Sequence, residues 1–238
     1  MVATNISIGI LFFAAAVSCF AGTVRVSRLQ QRDVRLGLHA LLLTVGTWGL
    51  LQAAQMLTRS TALATTLFTA GLIVGFGTVF AWLYFTSAYT GRTLHKQRSY
   101  RLFAVALYVS VTLFKLTNPI HGLHFTAEMS TDPYTRLVID QGLSYWLLFL
   151  LAYGLTAIGM YFLVVMFRQS AQSAWRLTGL VGIAGLAIVP KVVSAAYPAV
   201  LPELSYEPIG VALFALGALY LAEDTFLSLE APVRNQLF

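Results

Sequence analysis

Apolar residues run along this chain in seven long stretches, 6–24, 36–57, 62–89, 102–116, 143–167, 177–199 and 209–226, parted by short polar segments. A hydrocarbon core about 30 Å thick takes about 20 residues of helix to cross. Each stretch approaches that length, although the fourth is short and the third long. The pattern predicts an all-α polytopic membrane protein, a seven-transmembrane helix bundle occupying residues 1–226 with a tail at 227–238. The first stretch does not read as a cleaved signal peptide. Residues 1–7 hold no Lys or Arg, and the positive charges follow the stretch instead.

Composition strengthens this picture. Hydrophobic residues make up 58% of the chain and charged residues 10%, whereas a soluble domain needs roughly a quarter charged to cover its surface. Lipid must then be the outer solvent, in a multi-pass protein of the cell membrane. The formal net charge of +6 does not point to nucleic acid, because the basic residues lie scattered in short clusters between apolar stretches. Arg25, Arg28, Arg32, Arg35, Arg92, Lys96, Arg98, Arg101, Arg168, Arg176 and Arg234 follow the odd-numbered stretches. Only Arg59 and Arg136 fall on the other side, with Lys115 at a boundary. Positive charge marks the cytoplasmic face, which places the N-terminus outside and the C-terminus inside. Glu128, Asp132, Asp140, Glu203 and Glu207 fall on the outer side. The single cysteine, Cys19, sits within the first stretch as a small packing residue. Gly71-x-x-x-Gly75-x-Gly77 and the Gly179, Gly182, Gly185 series predict close helix packing.

Polar chemistry concentrates at 115–125, KLTNPIHGLHF. Pro119 is expected to end the fourth helix and to push Asn118 out of helical geometry. His121 and His124, three apart, could share a helical face and take a metal. No cysteine is near, and Glu128 or Asp132 would have to complete the ligands from a loop, so interfacial or hydrogen-bonding roles fit better. Lys115 reads as a residue snorkelling to the headgroups. Lys191 lies roughly 12 Å deep at 1.5 Å per residue and should face the bundle interior beside Pro190. It serves either as half of a structural salt bridge or as a ligand-binding cation. Gln52 and Gln55 read as hydrogen-bond glue and Trp48 as packing. Tyr145, Trp146 and Tyr153 form either an interfacial belt or part of an outer pocket. The candidate ligand site is therefore Asn118, His121, His124, Tyr145, Trp146 and Lys191, with Glu203 and Glu207 as gates or ion-pair partners. Its cation favours a small anionic or amphiphilic ligand, and no metal or cofactor is expected.

Catalytic motifs are absent, and the first six stretches hold no Asp or Glu, against proton pumping and intramembrane proteolysis. Retinal attachment fails, since the seventh stretch has no lysine and the third no carboxylate. A small seven-helix transporter stays as the alternative function, with only Pro190 hinting at a broken helix.

Several short elements follow one another over nearly the whole chain: Trp48, FTSAYTGR (85–92), LTNPIHGL (116–123), GLSYWLLFLLAY (142–153), Pro190 and YEPIGVALFALG (206–217). This series resembles the N-terminal seven-helix sensor region of membrane histidine kinases, found in archaea and some bacteria and usually followed by PAS and kinase modules. Tyr-Thr-Gly-Arg and Thr-Asn-Pro-x-His are its more specific elements. The resemblance implies a non-catalytic sensory input domain that passes helix rearrangement to a cytoplasmic PAS or kinase module in cis, with a homodimer compatible with it. Lys191 departs from the family pattern, so any pocket role for it is peculiar to this chain. The ending SLEAPVRNQLF, just after the seventh stretch, reads as a truncation before a further module. Glu223 and Asp224, at the inner end of that stretch, are either solvated, paired with Arg25 or Arg92, or coupled to signal output.

Overall fold

The computed structural model describes residues 2–130, 136–169, 182 and 206–234. Helices α1 (Val2–Val26), α2 (Arg32–Leu57), α3 (Thr61–Tyr89) and α4 (Arg98–Leu116) lead into a single helical turn, α5 (Asn118–His121). Strands β1 (Phe125–Ser130) and β2 (Arg136–Gln141) follow, then α6 (Leu143–Gln169) and α7 (Glu207–Arg234). Among the described residues five helices are long and apolar enough to cross a membrane: Ile8–Val26 within α1, all of α2, α3 and α4, and Leu143–Met166 within α6. A shorter apolar stretch, Glu207–Tyr220, opens α7. The sixth apolar stretch, with Lys191, and the loop residue Glu203 lie outside the described residues, apart from Gly182.

Hydrocarbon offers no partner for backbone polar groups, so these segments become helices that satisfy their own N–H and C=O groups. Local chemistry sets their ends. Tyr-Thr-Gly-Arg closes α3 by placing Gly91 at φ 69°, a left-handed conformation in which only glycine escapes a Cβ clash. Gly91 N then donates to Ala88 O at 3.2 Å and Arg92 N to Ser87 O at 2.9 Å, the paired bonds of a Schellman stop. A 3-10 turn, Leu94–Lys96, brings the chain to α4. Lys96 Nζ pairs with Asp33 Oδ2 at 2.8 Å, and His95 Nε2 lies 3.4 Å from the same oxygen. The α1–α2 and α3–α4 turns therefore meet at one end of the bundle, the arginine-rich end. Arg92 lies there with its guanidinium 4.3 Å from the Phe162 ring centroid.

Packing centres on α2 and α3. Helix α2 touches α1, α3 and α7, while α3 touches α4, α6 and both strands. Leu38, Leu41, Leu42 and Val45 of α2 form the core with Trp82 and Phe85 of α3 and Phe214 and Ala215 of α7. At Gly37 a Cβ would stand 2.7 Å from Phe85 Cα, so the α2 and α3 backbones meet directly. Gly71 and Gly75 act differently: their groove holds the Trp48 ring, 2.9 Å from where a Gly75 Cβ would be. Helix α4 is peripheral. Leu102, Phe103, Val105, Val109 and Leu113 are exposed to the surroundings, as befits a lipid-facing helix, and the buried residues of α4 are Val111 and Lys115.

The connection from 117 to 142 contains α5 and an antiparallel hairpin pairing Phe125 with Gln141 through Ser130 with Arg136. Its six-residue strands are too short to stand out beside 20-residue apolar stretches. The expectation for Asn118 also needs correcting. Helix α4 does end before Pro119, but Asn118 opens α5. Proline fits that first turn because its missing N–H would have no helical partner there.

Candidate functional site

Asn118 organises the hairpin end. Its buried side chain accepts from His124 N at 2.9 Å and from Phe125 N at 3.4 Å, and donates to Phe125 O at 2.8 Å. The carboxamide thus mimics a neighbouring strand. Gly142 N donates to His124 O at 3.0 Å, and Ser144 Oγ donates to Leu123 O at 2.8 Å. Together these bonds fix His124 between the Phe114, Phe125 and Tyr145 rings, with 1% of its surface exposed. Because the Ser144 proton is committed to Leu123 O, Ser144 Oγ accepts from His124 Nδ1, 3.4 Å away. Nδ1 then carries the ring hydrogen, leaving Nε2 a bare acceptor, buried without a partner among the described residues. Burial first, then the Lys115 and His121 charges, hold the His124 imidazole at about 4, below its usual 6.5.

Beside His124 opens a cavity of about 340 Å³. Among the described residues its walls come from Trp48 of α2; Leu72, Gly75, Phe76, Val79 and Trp82 of α3; Lys115 of α4; Tyr145, Phe149 and Tyr153 of α6; and Glu207, Val211 and Phe214 of α7. Most polar atoms in these walls are already committed. Trp82 Nε1 donates to Thr156 O at 3.1 Å, and the Thr78 and Thr156 hydroxyls donate within their own helices. Tyr153 OH donates to Glu207 Oε1 at 3.5 Å, linking α6 to the first turn of α7.

Lys115 keeps donors to spare. With 4% of its surface exposed, Nζ donates to Leu72 O at 2.7 Å and lies 5.0 Å from the Phe76 ring centroid. Among the described residues no carboxylate lies within ion-pair distance of it. Snorkelling is thereby overturned: the side chain reaches inward instead of to the headgroups. The reason is its place on the helix. Tyr108, Val111 and Lys115 follow at spacings of three and four, forming the stripe that faces α3, where Tyr108 packs on Phe76 and Phe80. That stripe was the available sequence signal, although a helix apolar on every side hides which stripe is buried.

The expected site residues divide into three groups. His124, Tyr145 and Glu207 line the cavity. Asn118 supports it from the hairpin without lining it. His121 belongs to the end of α4: its ring stacks on Phe114, Nδ1 accepts from Leu123 N at 3.0 Å, and Nε2 lies 3.3 Å from Phe114 O. Gly122, at φ 61°, turns the chain between the two histidines, so they do not share a helical face. Trp146 is 47% exposed and outside the cavity lining. Lys191 and Glu203 lie outside the described residues. Glu223 and Asp224 fall on the α7 backbone, with their side chains outside the description.

Aromatic walls, one buried cation and few free polar atoms suit a binding pocket. No curated protein matches the chain. A family model described as the N-terminal 7TM region of histidine kinase matches residues 10–223, most of the chain. The chain belongs to that family, and it is a multi-pass, seven-transmembrane sensory region.

Proposed function

We propose that this sensory input domain perceives its stimulus in the cavity beside the hairpin and reports it through α7. One observation supports this most strongly: residues at the start of α7 wall the same cavity as Lys115 of α4 and the aromatic face of α6. Anything filling the cavity would bear on the Tyr153–Glu207 contact between α6 and α7. It can shift the balance between helix arrangements only as far as it prefers one of them.

The arginine-rich end is assigned to the cytoplasm by its charge, which puts the hairpin and cavity on the outer side. Helix α7 then runs inward through Glu223 and Asp224 toward a PAS or kinase module in cis, and a homodimer would pair two such outputs. Lys191 and Glu203 remain proposed contributors to the same outer site.

Ala152→Trp in the full-length receptor tests this, because Ala152 lines the cavity. Its control is Leu150→Trp on the exposed face of the same helix. The expected result is a several-fold change in basal autophosphorylation for Ala152→Trp and none for the control. Equal output from both variants would count against the cavity as the input site.

A further inference from the structure

An ammonium has three N–H donors. In Lys115 one is used on Leu72 O, and the Phe76 face offers only partial compensation to the charge. A buried cation without a carboxylate is costly, and the side chain opens onto a cavity whose other walls are mainly aromatic and aliphatic. We propose that the cavity binds an apolar carboxylic acid as its anion, with the carboxylate on Lys115 Nζ and the body between the Phe76, Phe149 and Phe214 rings. This rests on the cavity being the input site.

Charge, size and polarity each narrow the class. Lys115 is the one Lys or Arg among the described lining residues. His124 adds no second positive charge at neutral pH, because its imidazole stays deprotonated. On the described walls one cation matches a monoanion; a phosphate monoester dianion would bring twice that charge. A volume of about 340 Å³ is at the small end of ligand sites, which run from about 300 to 1,000 Å³. It suits a medium-chain or single-ring acid and excludes a phospholipid. The ammonium stands on the α4 wall and the Glu207 carboxyl on the α7 wall, so the acid's head belongs toward α4. Such acids come either from the bilayer, as fatty acids, or from the aqueous side, as aromatic acids.

The test uses the purified chain in phosphatidylcholine nanodiscs, followed by the fluorescence of Trp48 and Trp82, which line the cavity. Decanoate is compared with decanol, and 3-phenylpropionate with 3-phenylpropanol. A charged hydrogen bond gained by the acid should make at least one acid bind about tenfold tighter than its alcohol. The tighter-binding acid identifies the source. Lys115→Met should erase the difference while alcohol binding persists, which also shows that the variant is folded. The wild-type acid and alcohol series stands by itself if the variant does not fold. Alcohols binding as tightly as acids, no binding of any probe, or a preference surviving Lys115→Met would each overturn the proposal. The input role of the cavity is decided separately by the Ala152→Trp output.

Discussion

Lys115 Nζ donates to the Leu72 carbonyl oxygen across 2.7 Å, so a charged residue on the most peripheral of the described helices reaches into the bundle. Leu72 O lies inside α3 and keeps its helical partner whether or not the lysine is present. The bond therefore does not rescue an orphan acceptor. It partly compensates a cation that the fold would be easier to build without.

Lys115→Met should consequently leave stability unchanged or raise it, by up to about 2 kcal/mol, since an apolar side chain of similar length replaces a buried charge. Thermal unfolding of the purified chain in detergent measures this. A marked fall in Tm would instead make Lys115 a structural ion-pair partner of residues outside the described set.

Asn118 has the opposite character. Asn118→Ala strands the backbone groups of His124 and Phe125 that the carboxamide now holds, at a cost of about 2–4 kcal/mol. Amide hydrogen exchange should show protection lost across β1 and β2. Asn118→Asp keeps the acceptor but loses the donor to Phe125 O and should fall between wild type and alanine. Unchanged protection in the alanine variant would contradict the clamp.

Acid should weaken the hairpin end through His124. Its imidazole is held at about 4 in the folded chain against 6.5 ordinarily, so the unfolded chain binds the extra proton between those values. Stability from this group is full above about 6.5 and is lost as pH falls toward about 4. His124→Phe removes the titration. The difference between wild-type and variant Tm should therefore vary across that window and level off above it, whereas parallel profiles would exclude His124 as the source.

Gly75→Ala should force the Trp48 ring from its groove, because the new Cβ would come within 2.9 Å of it. The cost is about 1–3 kcal/mol, with a shift in tryptophan emission. Gly154→Ala, where a Cβ meets nothing within 4 Å among the described residues, should change neither.

The described helices were legible in the sequence because lipid demands long apolar runs, whereas Tyr-Thr-Gly-Arg was read only as a family element and its left-handed stop at Gly91 came from the structure. The hairpin was not, since two six-residue strands need tertiary support from Asn118 to exist. Among the cavity residues, His124 was named from the polar stretch and Tyr145 from the aromatics opening the fifth apolar stretch. Lys115 was misjudged because its position near a helix end suggested an escape to the headgroups. What decides its direction is the stripe shared with Tyr108 and Val111, which becomes visible only once α3 is packed against it.

The central claim, that filling the cavity moves α7, is tested most directly by pulsed electron–electron resonance distances. Spin labels at Phe103→Cys on α4 and Tyr220→Cys on α7, both exposed, would be read in a Cys19→Ala background. Introducing Ala152→Trp should shift or repopulate the distance distribution, while Leu150→Trp should leave it as in wild type. Superimposable distributions for all three proteins would contradict the account.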